Sequence, residues 1–146
     1  MIEAYKNENF QKCVELFIET YNCAPWFNKW TLETAERYLQ ELINNKRFAG
    51  FILWRENNII GAAFCHEKTW WNNDELYIDE FFIDPHFQRK GYGKIIFNVV
   101  EKYVEERRLS SITLLTDRKK PAFDFYNKNG MEYLENLVFM YKKYLK

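Results

Sequence analysis

The chain of 146 residues is 47% apolar and 19% aromatic, enough to bury the core of one domain, and this composition excludes an intrinsically disordered chain. Because 21 basic residues balance 21 acidic ones, net charge gives no reason to expect a nucleic-acid or acidic membrane partner. No apolar run approaches the length of a membrane span, and residues 1–10 lack the basic start and apolar core of a signal peptide.

Helix patterns fill the first third of the chain, after a short predicted strand at residues 2–5. Apolar residues recur at helical spacing through residues 9–22 and again through residues 32–44. Thr31 is the predicted N-cap of the second helix, with Thr34 at the position where a capping box usually has glutamate. The loop between the two helices is rich in large aromatic side chains.

Strand patterns follow in the middle of the chain. Compact apolar segments at residues 49–55, 59–70 and 75–84 predict three strands, separated by polar turns. Asn and charged residues supply those turns at 56–58 and 71–74. These strands therefore predict a meander.

The second half of the chain predicts alternating helices and strands. A long amphipathic helix is expected at residues 91–108, a strand at 111–116, a short helix at 121–129 and a final strand at 137–144. We therefore expect a single domain over residues 1–146, of α+β or α/β class, with helices packed on one mixed central sheet.

Glycine and basic residues are concentrated where the strand at 75–84 runs into the long helix. The segment reads Gln88-Arg89-Lys90-Gly91-Tyr92-Gly93-Lys94. The first turn of a helix offers free backbone N–H groups and a partial positive charge, and glycine lets an anion approach the backbone. The basic side chains add full charges, so the segment suits a pyrophosphate. The alternative is an ordinary strand-to-helix turn with a solvated basic face. Neither a Walker loop nor a complete dinucleotide-binding motif is present.

Three segments resemble the GNAT superfamily of N-acetyltransferases. Residues 88–93 are similar to its Gln/Arg-x-x-Gly-x-Gly/Ala motif, and residues 79–85 are similar to its fourth strand. Residues 121–131 resemble its pattern of Ala, then Tyr four residues later, then Gly-Phe. Lys119 stands where many members have an asparagine that contacts the cofactor, so this contact is expected to differ. Met131 replaces the usual phenylalanine, which is a conservative apolar change.

The resemblance implies that the chain binds acetyl-CoA in a splayed opening between the fourth and fifth strands. The pantetheine arm would pair with backbone groups of Phe82 and Ile83, as an added strand pairs with an edge. Lys119 and its basic neighbours would meet the ribose phosphate, or else form a solvated loop. The pyrophosphate would be held by the loop residues Gln88, Arg89, Lys90, Gly91, Tyr92, Gly93 and Lys94.

The resemblance also implies direct transfer of the acetyl group to an amine within a ternary complex. Glu80 is the candidate base, since the family often places a carboxylate there; a pairing partner in a polar cleft is the alternative. By strand alternation Asp79 faces the other way, unless a bulge exchanges the two. Tyr126 matches the family tyrosine that donates to the sulfur, with core packing as the alternative.

Histidine and cysteine add little to this site. His66 is expected on a strand face, with catalysis as a minor alternative, and His86 in the turn before the loop. Two histidines without a carboxylate or cysteine cluster predict no metal site. The three cysteines have no metal-type spacing and are expected to be reduced thiols, which favours the cytoplasm.

Aromatic residues dominate the segments in which this family usually holds its acceptor. Trp26, Trp30, Trp70 and Trp71 lie there, with Asp79 nearby. Aromatic walls and carboxylates suit a cationic amine, although some of these rings are expected in the core or in a dimer contact. The Pro-Trp and Trp-Thr steps also resemble small bacterial acetyltransferases described as aminoglycoside 6'-N-acetyltransferase-like.

We therefore predict an acetyl-CoA-dependent N-acetyltransferase that acts on a primary amine of a small molecule, as a monomer or homodimer, with no nucleic-acid or membrane partner. A peptide or protein N-acetyltransferase is the first alternative and would need an open groove. A non-catalytic acyl-CoA-binding sensor is the second.

Overall fold

The structure, a computed structural model, describes residues 1–146 and contains five strands and four α-helices. The strands are β1 (Ile2–Ala4), β2 (Phe48–Arg55), β3 (Asn58–Lys68), β4 (Glu75–Ile83) and β5 (Ile112–Leu114). The helices are α1 (Phe10–Asn22), α2 (Leu32–Ile43), α3 (Tyr92–Glu106) and α4 (Pro121–Lys128). Short 3₁₀ turns at Asn7–Asn9 and Pro85–Phe87 precede α1 and follow β4.

The local signals at the start of α2 act as predicted. Thr31 is the N-cap, and its side-chain oxygen accepts a hydrogen bond from the Thr34 backbone N–H at 3.1 Å. The Thr34 hydroxyl in turn accepts from the Thr31 backbone N–H at 3.0 Å, which completes a capping box without glutamate. No helix combines the length and hydropathy that a membrane crossing requires.

One mixed sheet is present, as expected, and its strand order is β1-β2-β3-β4-β5. The first four strands are antiparallel, and β5 lies parallel to β4. Parallel neighbours need a crossover connection, and the segment that contains α3 supplies it. The pairing of β4 with β5 stops at Ile78 and Leu114, although β4 continues to Ile83. The second half of β4 therefore has a free edge, and this is the predicted opening between the fourth and fifth strands.

Helices cover both faces of the sheet. The rings of Phe17 on α1, Phe64 on β3 and Phe82 on β4 pack together beneath α1 and α2. On the opposite face, Phe81 contacts Phe97 of α3, whose side chain is buried. Burying a phenylalanine stabilises the fold by about 1.5–3 kcal/mol, so these rings hold β4 firmly from both sides.

The chain divides into two compact units, Met1–Leu115 and Thr116–Lys146. The second unit contains α4, and the expected strand at residues 137–144 does not form there. A strand needs a partner that supplies ladder hydrogen bonds, and residues 137–144 have no such pairing. Its apolar side chains are exposed, so the prediction of a final strand is wrong. The single domain over residues 1–146 stays a prediction.

Glu67 of β3 is the most strongly paired buried carboxylate, with 5% of its side chain exposed. Arg107 donates to both of its oxygens at 2.8 and 2.9 Å, Tyr103 donates to one, and Arg47 donates at 3.2 Å. Hydrogen bonds from Arg107 above all, and from Tyr103 and Arg47, lower the pKa of Glu67 to about 2. Glu67 thus joins β3 to the C-terminal end of α3 and to the start of β2.

Replacing Glu67 by glutamine should lower the free energy of unfolding at pH 7 by about 2 kcal/mol, because the bonds of a charged acceptor are lost. Because the pKa of Glu67 in the folded protein lies below its ordinary value near 4.5, the ionised side chain stabilises the native state fully above pH 4.5. This stabilisation is lost as the pH falls through about 2. Urea unfolding at pH 7 and pH 3 should therefore show a smaller difference from wild type at pH 3. Glu105→Gln, on the exposed side of α3, is the control and should change stability by less than about 0.5 kcal/mol. Equal differences at both pH values would show that the charge of Glu67 is not responsible.

Candidate active site

The loop between β4 and α3 is fixed by side chains at both of its ends. The Asp84 carboxylate accepts from the His86 backbone N–H at 2.8 Å and so caps the 3₁₀ turn Pro85–Phe87. Gln88 then donates from Nε2 to the carbonyl oxygen of Ile83 at 2.9 Å, which ties the loop back to the end of β4. Gln88, the first residue of the sequence motif, therefore shapes the loop by a hydrogen bond to the backbone at the end of β4.

The loop leaves the first turn of α3 open. Arg89 and Gly91 both adopt the left-handed conformation, with φ of 62° and 88°. Gly91 is the N-cap of α3, and no side chain caps the helix. A Cβ added at Gly91 would meet nothing within 4 Å, so there is room above the backbone at this point. Backbone N–H groups in such a turn form an anion-binding concavity, which fits the diphosphate of a nucleotide cofactor.

Positive charge surrounds this loop. Arg89, Lys90 and Lys94 are exposed, as the sequence indicates. Arg55, at the end of β2, adds a cation that the sequence analysis missed: its guanidinium lies 5.1 Å from the centre of the Phe87 ring. The Lys90 ammonium lies 5.8 Å from the same ring. No local pattern marks Arg55, because only the pairing of distant strands brings it here.

A β-bulge brings Asp79 and Glu80 onto one face of the sheet. Phe64 pairs with Glu80 and Cys65 with Ile78, so Asp79 is an extra residue in β4. Opposed residues share a face, which places Glu80 with Phe64 on the side of α1 and α2. Asp79 reaches His66, two residues beyond Phe64 on the same side of β3. The expectation that Asp79 faces away from Glu80 is therefore wrong, because the bulge interrupts the alternation.

A tyrosine hydroxyl holds the Glu80 carboxylate. Tyr38 of α2 donates to Glu80 Oε2 at 2.6 Å, and the nearby Tyr21 hydroxyl of α1 donates to the Phe81 carbonyl oxygen at 3.4 Å. Burial raises the pKa of Glu80, the hydroxyls of Tyr38 and Tyr21 lower it, and the nearby charge of Asp79 raises it. Burial and the charge of Glu80 raise the pKa of Tyr38 in turn, so Tyr38 remains a donor. Neither tyrosine was singled out from the sequence, since each lies in an ordinary helical stripe.

Asp79 pairs with His66. Its Oδ2 lies 2.6 Å from His66 Nδ1, and the side chains are 17% and 21% exposed respectively. Burial raises the pKa of Asp79, while the hydrogen bond and charge of His66 lower it. The His66 ring also lies 5.5 Å from that of Tyr77. A second carboxylate thus stands beside Glu80, and it is oriented by a partly exposed imidazole.

Two of the four predicted acceptor tryptophans contact Tyr38 and Tyr21, the tyrosines near Glu80. Trp30 stacks on Tyr38 with ring centres 5.3 Å apart, and Trp26 packs edge-on against Tyr21 at 5.5 Å. Trp30 also lines an open surface depression with Asn28 and Lys29. The turn residues Trp70 and Trp71 are 48% and 87% exposed, and Lys68 lies over the Trp70 ring. Trp26 and Trp30 therefore contact tyrosines that lie beside the Glu80 carboxylate, whereas Trp70 and Trp71 do not.

The remaining predicted site residues are described separately for each of the two compact units. The Phe82 side chain is buried in the core, so only its backbone could meet a ligand. In the second unit, Tyr126 lies on α4 and is 9% exposed, and its ring contacts Phe125 at 5.4 Å. Lys119 is exposed, and its backbone N–H donates to Asp117. The roles of Lys119 and Tyr126 stay predictions.

One group of side chains offers atoms that a metal ion could use. Glu19, Asp84 and His86 bring three such atoms within 4.8 Å of one another. The Glu19 and His86 side chains are 53% and 74% exposed, and Asp84 already serves as a cap. Hydrogen bonding accounts for this group, so we assign it no ion.

Comparison with known proteins adds a family to this geometry. The model of the acetyltransferase (GNAT) family matches residues 10–131. An uncharacterised N-acetyltransferase of Methanocaldococcus jannaschii is 27% identical over an alignment of 115 residues, and the match covers 75% of this chain and 45% of that protein. The chain thus spans less than half the length of this curated relative.

Solved structures share the fold. An aminoglycoside acetyltransferase from an uncultured soil metagenomic sample, in complex with trehalose, has a TM-score of 0.77 and 20% identity; the match covers 99% of this chain and 96% of that one. AAC(6')-Iy, in complex with the bisubstrate analogue CoA-S-monomethyl-acetylneamine, has a TM-score of 0.74 and 15% identity, and the match covers 98% and 97% of the two chains. Together with the family match, the mixed sheet and the open loop at α3 lead to one conclusion: the chain belongs to the GNAT family of acetyltransferases.

Proposed function

We propose that this acyltransferase moves an acetyl group from acetyl-CoA to a primary amine of a small molecule, by direct transfer in a ternary complex. One observation carries the proposal: β4 bears Glu80 near its end and then runs directly into the open, basic loop at α3. A single strand thus supports a proton acceptor and leads to an anion site. Both parts are needed when an amine attacks a thioester that is attached to a diphosphate.

The residues of the loop fit the diphosphate of coenzyme A. Backbone N–H groups from Arg89 to Lys94 would bind it, with the charges of Arg89 and Arg55 nearby. The pantetheine arm would lie along the free edge of β4 and meet the backbone of Phe82 and Ile83. The Ile83 carbonyl already accepts from Gln88, so its N–H is the better candidate. Lys119 is proposed to meet the ribose phosphate.

Glu80 is the proposed general base. An alkyl ammonium has no lone pair, so it must lose a proton before its nitrogen can attack. A base works best when its pKa lies near the working pH, and burial moves the pKa of Glu80 in that direction. Tyr126 is proposed to protonate the leaving thiolate, as its position in the Ala-x-x-x-Tyr pattern suggests.

The surroundings of Glu80 favour a small cationic acceptor. Trp26 and Trp30 present aromatic rings beside the tyrosines that hold the base, and Asp79 adds negative charge. Such a wall attracts an ammonium through its π-faces and its carboxylates. Aminoglycoside acetyltransferases share the fold, which supports the same substrate class. The three free cysteines support a reducing compartment, and we place the protein in the cytoplasm.

Acetyl-CoA should raise the melting temperature, because a ligand at 100 times its Kd stabilises the native state by about 2.7 kcal/mol. Release of free thiol should then follow with at least one member of a panel of monoamines, amino acids, diamines and aminoglycosides. A missing thermal shift at millimolar acetyl-CoA would contradict the proposal. A shift without thiol release would indicate a sensor, and release with peptides alone a peptide acetyltransferase.

Replacing Tyr38 by phenylalanine removes a donor to the ionised form of Glu80, so the pKa of Glu80 should rise further. The acid limb of the kcat/KM profile should therefore move to higher pH, and stability at pH 7 should fall by about 1.5–3 kcal/mol. ¹³C NMR of the labelled glutamates, with the Glu80 signal assigned through Glu80→Gln, measures the pKa directly. Tyr77→Phe is the control, since the Tyr77 hydroxyl lies near the same carboxylates but makes no hydrogen bond to Glu80. An unmoved Glu80 titration in the Tyr38 variant would rule out Tyr38 as its positioning residue.

Replacing Tyr126 by phenylalanine should lower kcat about 100-fold, the lower end of the range for general acid catalysis. The affinity for acetyl-CoA should change little, because the hydroxyl would act only as the sulfur leaves. Single-turnover rates and thermal titration with acetyl-CoA separate the two effects. Tyr141→Phe, at a side chain 76% exposed, is the matched control. Unchanged turnover would remove Tyr126 as the acid.

A further inference from the structure

The proposed reaction releases more protons from the substrate nitrogen than one base can hold. The substrate nitrogen begins as an ammonium and ends as an amide, so it loses two protons in each turnover. One leaves before nitrogen attacks the carbonyl carbon, and the other leaves once the C–N bond has formed. The C–S bond breaks, and the sulfur takes up one proton as it departs. The other proton must reach solvent. The Glu80 carboxylate holds one proton at a time, so a second group is needed to receive and release protons.

The bulge in β4 puts a suitable group beside Glu80. Asp79 follows Ile78 as the extra residue and shares the face of Glu80, and its Oδ2 lies 2.6 Å from His66 Nδ1. That bond engages one ring nitrogen and leaves Nε2 for another partner. His66 is 21% exposed, so its ring reaches both the protein interior and solvent. Glu80, by contrast, is enclosed by Tyr38 and Tyr21.

We propose that His66, oriented by Asp79, is the second proton acceptor of the reaction. This inference depends on the proposed function, since it assumes that the chain acetylates an amine. Nδ1–H of His66 donates to Asp79, and Nε2 accepts the proton that Glu80 cannot hold and passes it to solvent. Asp79 fixes the ring and stabilises the imidazolium, so it is a positioning residue. An imidazole suits this step, because one ring nitrogen can donate to Asp79 while the other accepts and releases a proton.

The groups that face His66 are compatible with this role. On β4 they are Asp79, Tyr77 and, beyond them, Glu80. Tyr38 approaches the same carboxylates from α2. On β2 the residue opposite His66 is Phe48, which carries no charge. No lysine or arginine forms an ion pair with Asp79, so the imidazole of His66 is its side-chain partner. A purely structural pair would need no open ring nitrogen and no route to solvent.

The test compares His66→Ala and His66→Gln with wild type, using the best amine from the panel. Turnover at pH 7 should fall about 10- to 100-fold in both variants, because a proton acceptor is worth about that much or more. KM for acetyl-CoA should stay within about two-fold, since no cofactor contact is removed. Added imidazole should restore turnover to His66→Ala in a concentration-dependent way and should not affect wild type. Asp79→Asn should lower kcat and alter the acid limb of the pH–rate profile.

Two results would overturn the inference. The first is turnover within about two-fold of wild type from pH 6 to pH 9 in either His66 variant. The second is a loss of turnover that imidazole does not restore, accompanied by a lower melting temperature, which would assign the pair a structural role. If His66→Ala does not fold, His66→Gln is tested for acceleration by imidazole buffer, with the same two outcomes. Failure of the proposed function itself looks different, because the wild-type protein would then acetylate no amine at all.

Discussion

The geometry of the candidate site depends on the bulge at Asp79. In a regular strand, Glu80 would lie on the same side as Ile78, toward α3 and the buried side chains of Ile96 and Phe97. A carboxylate there would lose its hydration without gaining donors, which costs several kcal/mol. The extra residue instead turns Glu80 toward α1 and α2, where the Tyr38 hydroxyl donates to it. The rings of the next two residues, Phe81 and Phe82, then pack on opposite faces of the sheet and anchor the strand. Packing of those rings keeps the bulge in place.

The formal net charge of zero conceals a separation of charge along β4 and the loop after it. Asp79 and Glu80 stand in the strand, and Arg89, Lys90 and Lys94 follow within the next fifteen residues. Asp84 and Gln88 form hydrogen bonds to backbone atoms in the turn between the acidic and the basic residues. The fixed turn keeps the opposite charges apart. In the proposed reaction, an acceptor amine and a diphosphate, which carry opposite charges, would thereby be attracted to different ends of the same segment.

Local sequence signals predicted most of the fold, since helix stripes, the Thr31 cap and the glycine-rich loop are encoded by neighbours in the chain. The loop residues and Glu80 followed from the family resemblance. Local sequence signals did not predict the features that depend on contacts between distant residues. These are the position of the bulge at Asp79, the Tyr38–Glu80 hydrogen bond across 42 positions, and Arg55 at the loop. The strand expected at 137–144 failed for the same reason, because an apolar run specifies a strand only when a partner supplies hydrogen bonds.

Two carboxylates, Glu67 and Glu80, show how surroundings assign roles within one sheet. Glu67 is held by guanidinium groups, which favour its charged form and hold its pKa at about 2, so it is ionised at neutral pH. Glu80 has only tyrosine hydroxyls as donors, and burial moves its pKa the other way. Had an arginine stood where Tyr38 stands, Glu80 would be pinned as an ion and would be a poor base. The neutral donor on α2 orients the carboxylate without suppressing its affinity for a proton, and the proposed role of Glu80 as a base requires this combination.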